Sequence, residues 1–232
     1  MAPVGLFMDF YGTIAAGDRA AVERICHQLV EAHSIPVDAA ELAGRWGRQF
    51  FAVIERANGE RFRSLFACEC DSLRRTLEPF RLEVQPEPYV RELREYWRHP
   101  PLQPEALAAL ARIRLPICLV SNADDHDLLR AIRRSGLTFD HVVTSQRAQC
   151  YKPHPDIFRR ALRETGWPAE AVLHVGDSLH SDIAGAHAAG LRAIWMQRKG
   201  RISDLPRATP DYMAADLHQV AALVLELGAG KN

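Results

Sequence analysis

Apolar positions along this chain follow two rhythms. Short unbroken apolar runs appear at Val4–Met8, Ile117–Ser121, Val172–Val175 and Arg192–Met196, with a weaker one at His141–Thr144. Runs of this length, bounded by turn residues, predict buried strands. Between them apolar residues recur three and four positions apart, which predicts helices at Pro104–Arg112, Asp125–Arg134, Pro155–Thr165, Ser181–Ala189 and Leu217–Leu227. Gly136 and Gly190 close two of these, and Pro155 opens a third. Tyr212 begins a short edge segment, and the tail Gly228–Asn232 is expected to fray. Strand and helix alternate, so the pattern predicts an α/β fold, a doubly wound, Rossmann-like parallel sheet.

The alternation is interrupted once. After the first strand, Ala20–Ala32 carries helical spacing at Ala21, Val22, Ile25 and Leu29. Asp38 with Glu41 forms a capping-box pattern that opens a helix running to about Ala57, where Asn58-Gly59 ends it. Phe62–Leu77 and Pro88–Trp97 read as two more helices before His99-Pro100-Pro101 breaks the pattern. The division expected is a core from residues 1–15 and 99–232, with a small all-helical unit, 16–98, inserted after strand 1.

Composition adds exclusions. The 232 residues suffice for one core and a modest insertion, and Lys+Arg equals Asp+Glu at 29 each. A net charge of zero gives no reason to expect nucleic acid as a partner. No run approaches the roughly 18 apolar residues of a membrane span, so no membrane partner is expected either. The N-terminal apolar run is too short for a signal core, and five cysteines without a CxxC pair suggest reduced thiols. A cytoplasmic location is the expectation. The number of copies is left open between monomer and homodimer.

Three strand ends carry reactive side chains: Asp9 in Asp9-Phe10-Tyr11-Gly12-Thr13, Ser121 in Ser121-Asn122, and Asp177 in Gly176-Asp177-Ser178. In a parallel sheet all three lie at one edge, where ligands bind. A carboxylate can attack phosphorus or an electrophilic carbon and form a covalent intermediate, which makes Asp9 the candidate nucleophile. Asp9 and Asp177 together suit an octahedral Mg²⁺. Lys152, in Tyr151-Lys152-Pro153-His154-Pro155, would neutralise charge around the nucleophile, and Ser121, Thr13 and the Asn122 amide would bond substrate oxygens. Asp182 would support the metal through water or hold Lys152. The cluster Asp124-Asp125-His126-Asp127 reads as caps and dipole compensation for its own helix, and His180 as a surface residue at a helix start.

Asp9, Ser121, Lys152 and the Asp177/Asp182 pair, in that order, resemble the four motifs of the haloacid dehalogenase (HAD) superfamily. The resemblance spans nearly the whole chain and implies a helical cap between the first two motifs. It also implies that the carbonyl of Tyr11 joins Asp9, Asp177 and Asp182 around Mg²⁺. Phosphatases of the family usually carry Asp where Tyr11 stands, as general acid and base. Tyr, with a pKa of about 10, is a poor base at neutral pH. Tyr-Gly-Thr after the nucleophile instead resembles the 2-haloacid dehalogenases, whose leaving halide needs no proton. Trp46-Gly47-Arg48-Gln49 loosely resembles their halide-binding region, which makes Arg48 a candidate substrate contact beside Tyr11 and Asn122. The fourth motif is phosphatase-like, since the dehalogenases carry Ser and Asn there.

The expected function is therefore that of a Mg²⁺-dependent hydrolase acting on a small phosphorylated metabolite. Two alternatives stand beside it. One is a 2-haloacid dehalogenase-like hydrolase. The other is a weakly active binding or regulatory protein that keeps the fold.

Overall fold

The computed structural model describes residues 1–197 and 208–229. Its six strands are β1 (Gly5–Met8), β2 (Ile117–Ser121), β3 (His141–Thr144), β4 (Val172–Gly176), β5 (Arg192–Met196) and β6 (Tyr212–Ala214). All neighbours are parallel, in the order β3-β2-β1-β4-β5-β6. The fold is α/β and Rossmann-like, as the alternation predicts. Val4 falls just outside β1, exposed, with its amide on the Ala171 carbonyl.

The sheet is covered on both faces, which is why its strands read as continuous apolar runs. Leu6, Met8, Leu119, Val175 and Ile194 point to one side and pack with α5 (Ala106–Leu110), α6 (Asp125–Ser135) and α10 (Leu217–Ala229). Phe7, Cys118, Val120 and Ala193 point to the other and meet α8 (Pro155–Thr165) and α9 (Gly185–Ala188). The helix α10 continues through Gly228 and Ala229, where fraying was expected; residues 230–232 lie outside the described residues.

Between β1 and β2 stand α1 (Asp18–His33), α2 (Ala39–Ile54), α3 (Leu65–Leu77) and α4 (Glu87–Arg98). These four helices enclose a separate core built on Ile25, Leu29, Leu42, Trp46, Leu73, Leu93 and Trp97. Asp38 caps α2 through the Glu41 amide at 2.8 Å, as the capping-box pattern predicts. The end of α2 comes earlier than expected, at Ile54. Asn58 explains the difference: its amide nitrogen folds back onto the carbonyls of Ile54 and Glu55 at the helix end, at 3.1 and 2.9 Å. Likewise α3 begins at Leu65 rather than Phe62, because Ser64 accepts the Ala67 amide and starts the helix there.

The helix expected from Ser181 is instead a six-residue π-helical turn, Leu179–Ala184, that runs into α9. Such wide turns carry no compositional signature, and they gather at functional sites. A short helix after β3, α7 (Ser145–Ala148), is capped by Thr144, whose hydroxyl oxygen accepts the Arg147 amide.

Candidate active site

Asp9, Ser121 and Asp177 follow or end β1, β2 and β4, the strands flanking the point where the strand order turns back on β1. Ligand crevices open at such a switch point. Asp9, Asp177 and Asp182 are all buried, and a carboxylate oxygen from each lies within 4.8 Å of the others. The approach is so close that side chains nearby are excluded. A Cβ at Gly12 would fall 2.4 Å from Asp177 Oδ2, and one at Gly176 would fall 2.1 Å from Asp182 Cγ. Gly12 also holds φ at +91°, which few other residues adopt.

Lys152 is only 2% exposed and reaches both carboxylates, with Nζ 2.7 Å from Asp9 Oδ1 and 2.6 Å from Asp182 Oδ1. The two carboxyls respond differently. Burial raises Asp9 to about 6, despite the pull of the Lys152 ammonium. Burial would raise Asp182 as well, but Lys152 and a hydrogen bond from His174 hold it far below the usual carboxylate range. Asp182 is gripped from three sides: Lys152 and His174 Nε2 (2.9 Å) meet Oδ1, and the Ser178 amide meets Oδ2 at 3.0 Å. Burial keeps the His174 ring neutral, so its Nε2–H donates to the carboxylate. Of the two roles expected for Asp182, support of the metal through water or a hold on Lys152, the geometry contains the second.

Two polar atoms at this sheet edge are left over. Asp9 Oδ2 and Ser121 Oγ are buried without a hydrogen-bond partner among the described residues. Thr13 is buried beside them in sequence, on the turn that follows Asp9. Asn122 spends its side chain on the backbone of Lys152, accepting the amide at 2.8 Å and donating to the carbonyl at 3.2 Å. Its side chain therefore positions Lys152, and only its backbone amide remains for substrate.

The structure adds detail to three expectations. Arg48 is exposed on α2, and its guanidinium lies back along its own helix, 3.6 Å from where a Cβ on Gly44 would sit. His180 is not a surface residue: it is 8% exposed, and its ring meets Phe51 of α2 edge-on, with Nε2 3.2 Å from Glu55 Oε1. That nitrogen lacks hydrogen-bond geometry. The acidic cluster does stand at the start of its own helix, with Asp124 as N-cap residue and Asp125 and Asp127 in the first turn, but the Asp124 side chain makes no cap bond and the carboxylates also bond the inserted helices. Asp124 accepts the amides of Leu65 and Phe66 at the start of α3, and Asp127 pairs with Arg94 and Arg98 of α4 at 2.8 and 2.7 Å. The reason is topological: the motif after β2 lies directly beneath the inserted helices.

Sequence reading missed two positioning residues. His174 was detectable as the polar member of the buried run Val172–Gly176. Tyr151 was not: it neighbours Lys152 in sequence but packs in the core of the inserted helices, stacked on Phe62. Its amide donates to Asn58 Oδ1 at 2.8 Å and its hydroxyl to the Arg63 carbonyl at 2.7 Å.

The strand order, the carboxylates grouped at the switch point and the lysine joining two of them define a hydrolase of the haloacid dehalogenase type. The family model of the haloacid dehalogenase-like hydrolases matches residues 5–190, and the chain belongs to that family. It is 37% identical over 147 residues to a phosphoserine phosphatase of Thermus thermophilus, covering 61% of this chain and 57% of that one. It is 25% identical over 234 residues to the (S)-2-haloacid dehalogenase H-109 of Pseudomonas putida, covering 97% and 100%. Among solved structures, the L-2-haloacid dehalogenase RSc1362 superposes with a TM-score of 0.77 at 24% identity, covering 97% of this chain and all of that one. A HAD hydrolase from Bacillus subtilis, solved with magnesium, gives 0.76 at 20% identity over 97% and 100%. These two likenesses speak to the fold.

Proposed function

We propose that this protein hydrolyses small phosphate monoesters with Asp9 as nucleophile and Mg²⁺ as cofactor. The observation that carries this reading is the group of three buried carboxylates within 4.8 Å, one of which, Asp9, keeps an oxygen unpartnered. Hard oxygen donors at this spacing fit Mg²⁺. Asp9, Asp177 and the Tyr11 carbonyl would hold it, and Asp182 would reach it through water. Bound there, the ion would offset the negative charge of the phosphoryl oxygens.

The chain's own residues account for the remaining steps. Asp9 Oδ2 attacks phosphorus, the ester oxygen departs with its bonding electrons, and an acyl phosphate forms on Asp9. Water then cleaves this intermediate, returning the carboxylate and releasing phosphate. Lys152, Ser121 Oγ, Thr13 and the Asn122 amide hold the phosphoryl oxygens in place as charge builds on them. The helices of residues 16–98 would act as a cap that excludes bulk water.

A second reading is favoured by Tyr11. Its hydroxyl donates to the Trp97 carbonyl at 2.7 Å, and burial lifts its pKa well above 10. It supplies no acid–base group beside the nucleophile. A 2-haloacid substrate needs none, because halide leaves unprotonated when Asp9 attacks carbon. The full-length alignment to the Pseudomonas putida dehalogenase supports this reading as well. In the third reading, a binding protein, neither reaction runs.

Turnover of aryl and acyl phosphates and of 2-haloacids, each with Mg²⁺ and with chelator, separates the three. The phosphatase reading expects phosphate release that stops on chelation and in Asp177→Ala. Halide release indifferent to chelator would replace it with the dehalogenase.

A further inference from the structure

Away from the crevice, the junction of α2 and α3 holds a cavity of about 280 Å³. Val53 and Ala57 form its apolar floor, both buried. Its walls carry Arg56, Arg61, Arg63 and Arg75 against a single carboxylate, Asp71. Asp71 orients two of the four, binding Arg63 at 2.8 Å and Arg75 at 3.2 Å. Arg56 and Arg61 have no acidic partner among the described residues. Four arginines and one carboxylate among the lining residues leave three positive charges in excess around this concave space.

We infer that this cavity binds a pyrophosphate-class anion: two adjacent phosphoryl groups, free or on a small metabolite. Planar guanidiniums recognise phosphoryl oxygens through paired hydrogen bonds; Arg56 and Arg61 are the pair that Asp71 leaves unengaged, and Arg63 and Arg75 add positive charge beside them. The volume sits just under the roughly 300–1,000 Å³ of pockets for drug-sized ligands, which favours a small anion over a nucleotide.

The site is wired to Lys152. The Arg63 carbonyl accepts the Tyr151 hydroxyl at 2.7 Å, and Phe62, between Arg61 and Arg63, stacks on the Tyr151 ring. Lys152 is the next residue. Drawing Arg61 and Arg63 around an anion therefore acts on the backbone that presents the catalytic lysine. This inference does not depend on whether phosphorus or carbon is attacked at Asp9.

The test titrates inorganic pyrophosphate into the full-length, metal-free protein by calorimetry. Arg56→Gln/Arg61→Gln should weaken binding at least tenfold. Asp71→Asn, which removes the competing charge, should tighten it severalfold, a gain that misfolding cannot mimic. Affinity unchanged in both variants would place pyrophosphate at the Asp9 crevice and overturn the inference. Hydrogen exchange reads the connection: pyrophosphate should slow exchange in the segment around Tyr151. In Tyr151→Phe binding should persist while that slowing shrinks. Slowing that is absent from the wild type would overturn the wiring to Lys152.

Discussion

Tyr11 stands two positions after the proposed nucleophile, and its hydroxyl proton already belongs to the Trp97 carbonyl. If the enzyme is a phosphatase, leaving groups must depart without a donated proton, and a missing acid costs about 10²–10⁴ in rate. Aryl phosphates with acidic phenols should therefore outrun alkyl phosphates by more than their intrinsic reactivity explains. Equal rates across a graded leaving-group series would show that another group supplies the proton. His174 makes a second prediction at this scale. Its Nε2 donates to the buried, charged Asp182, and hydrogen bonds to charged groups contribute about 1.5–3 kcal/mol. His174→Phe should lose stability of that order in urea unfolding and should loosen the hold on Lys152. Asp9, Ser121 and Asp177 could be placed at one sheet edge from the sequence, because each adjoins or ends a strand whose position the topology dictates; Lys152, in the loop between α7 and α8, was reached through the family resemblance. The direction of Arg48 was not legible, because helical periodicity does not tell which way a long, exposed side chain turns.

The inserted helices are joined to the sheet by charge as much as by packing. Asp127 is buried, and Arg94 and Arg98 of α4 hold its carboxyl below the usual range although burial alone would raise it. Asp127→Ala strands two partly exposed guanidiniums. The cost should be about 2 kcal/mol, between the exposed and fully buried limits for ion pairs. A denaturation midpoint unchanged in low salt would discount the pair. Within the helices, α3 carries Glu69, whose carboxyl meets the Ser72 hydroxyl at 3.2 Å while Trp46 donates to the same hydroxyl at 2.8 Å. Burial, with Asp18 nearby, raises Glu69 from 4.5 to about 8. The folded protein thus keeps a proton that the unfolded chain releases near pH 4.5. The stability this adds is complete below pH 4.5 and is lost as pH climbs to about 8. Glu69→Gln should flatten stability across that window, as thermal melts at pH 5, 6.5 and 8 would show. The longer helices were legible from spacing, as was the Asp38 cap of α2. The end of α2, the start of α3 and the π-helical turn were not, since Asn58, Ser64 and Asp182 set them through side-chain bonds to backbone.

For the molecule as a whole, the proposed Mg²⁺ site would tie folding to ion binding. An ion that binds only the folded chain stabilises it by mass action, by about 2.7 kcal/mol at a hundredfold excess over Kd. Mg²⁺ should raise the melting temperature of the wild type and leave that of Asp177→Ala unmoved. No described helix is long and apolar enough to cross a membrane. Tyr151 shows where the chain's two halves meet. It belongs by sequence to the loop that delivers Lys152, yet by packing to the helices of residues 16–98. A chimera that exchanges those helices at their sequence borders would strand this aromatic ring in a foreign core and pull the lysine off station. On this packing, a transplantable module would be discontinuous: the helices α1–α4 together with the Gln149–Tyr151 segment that Gly59, Asn58 and Arg63 grip. Recombination that respects this hidden seam should yield soluble hybrids with an intact lysine, whereas splicing at the linear junctions should not.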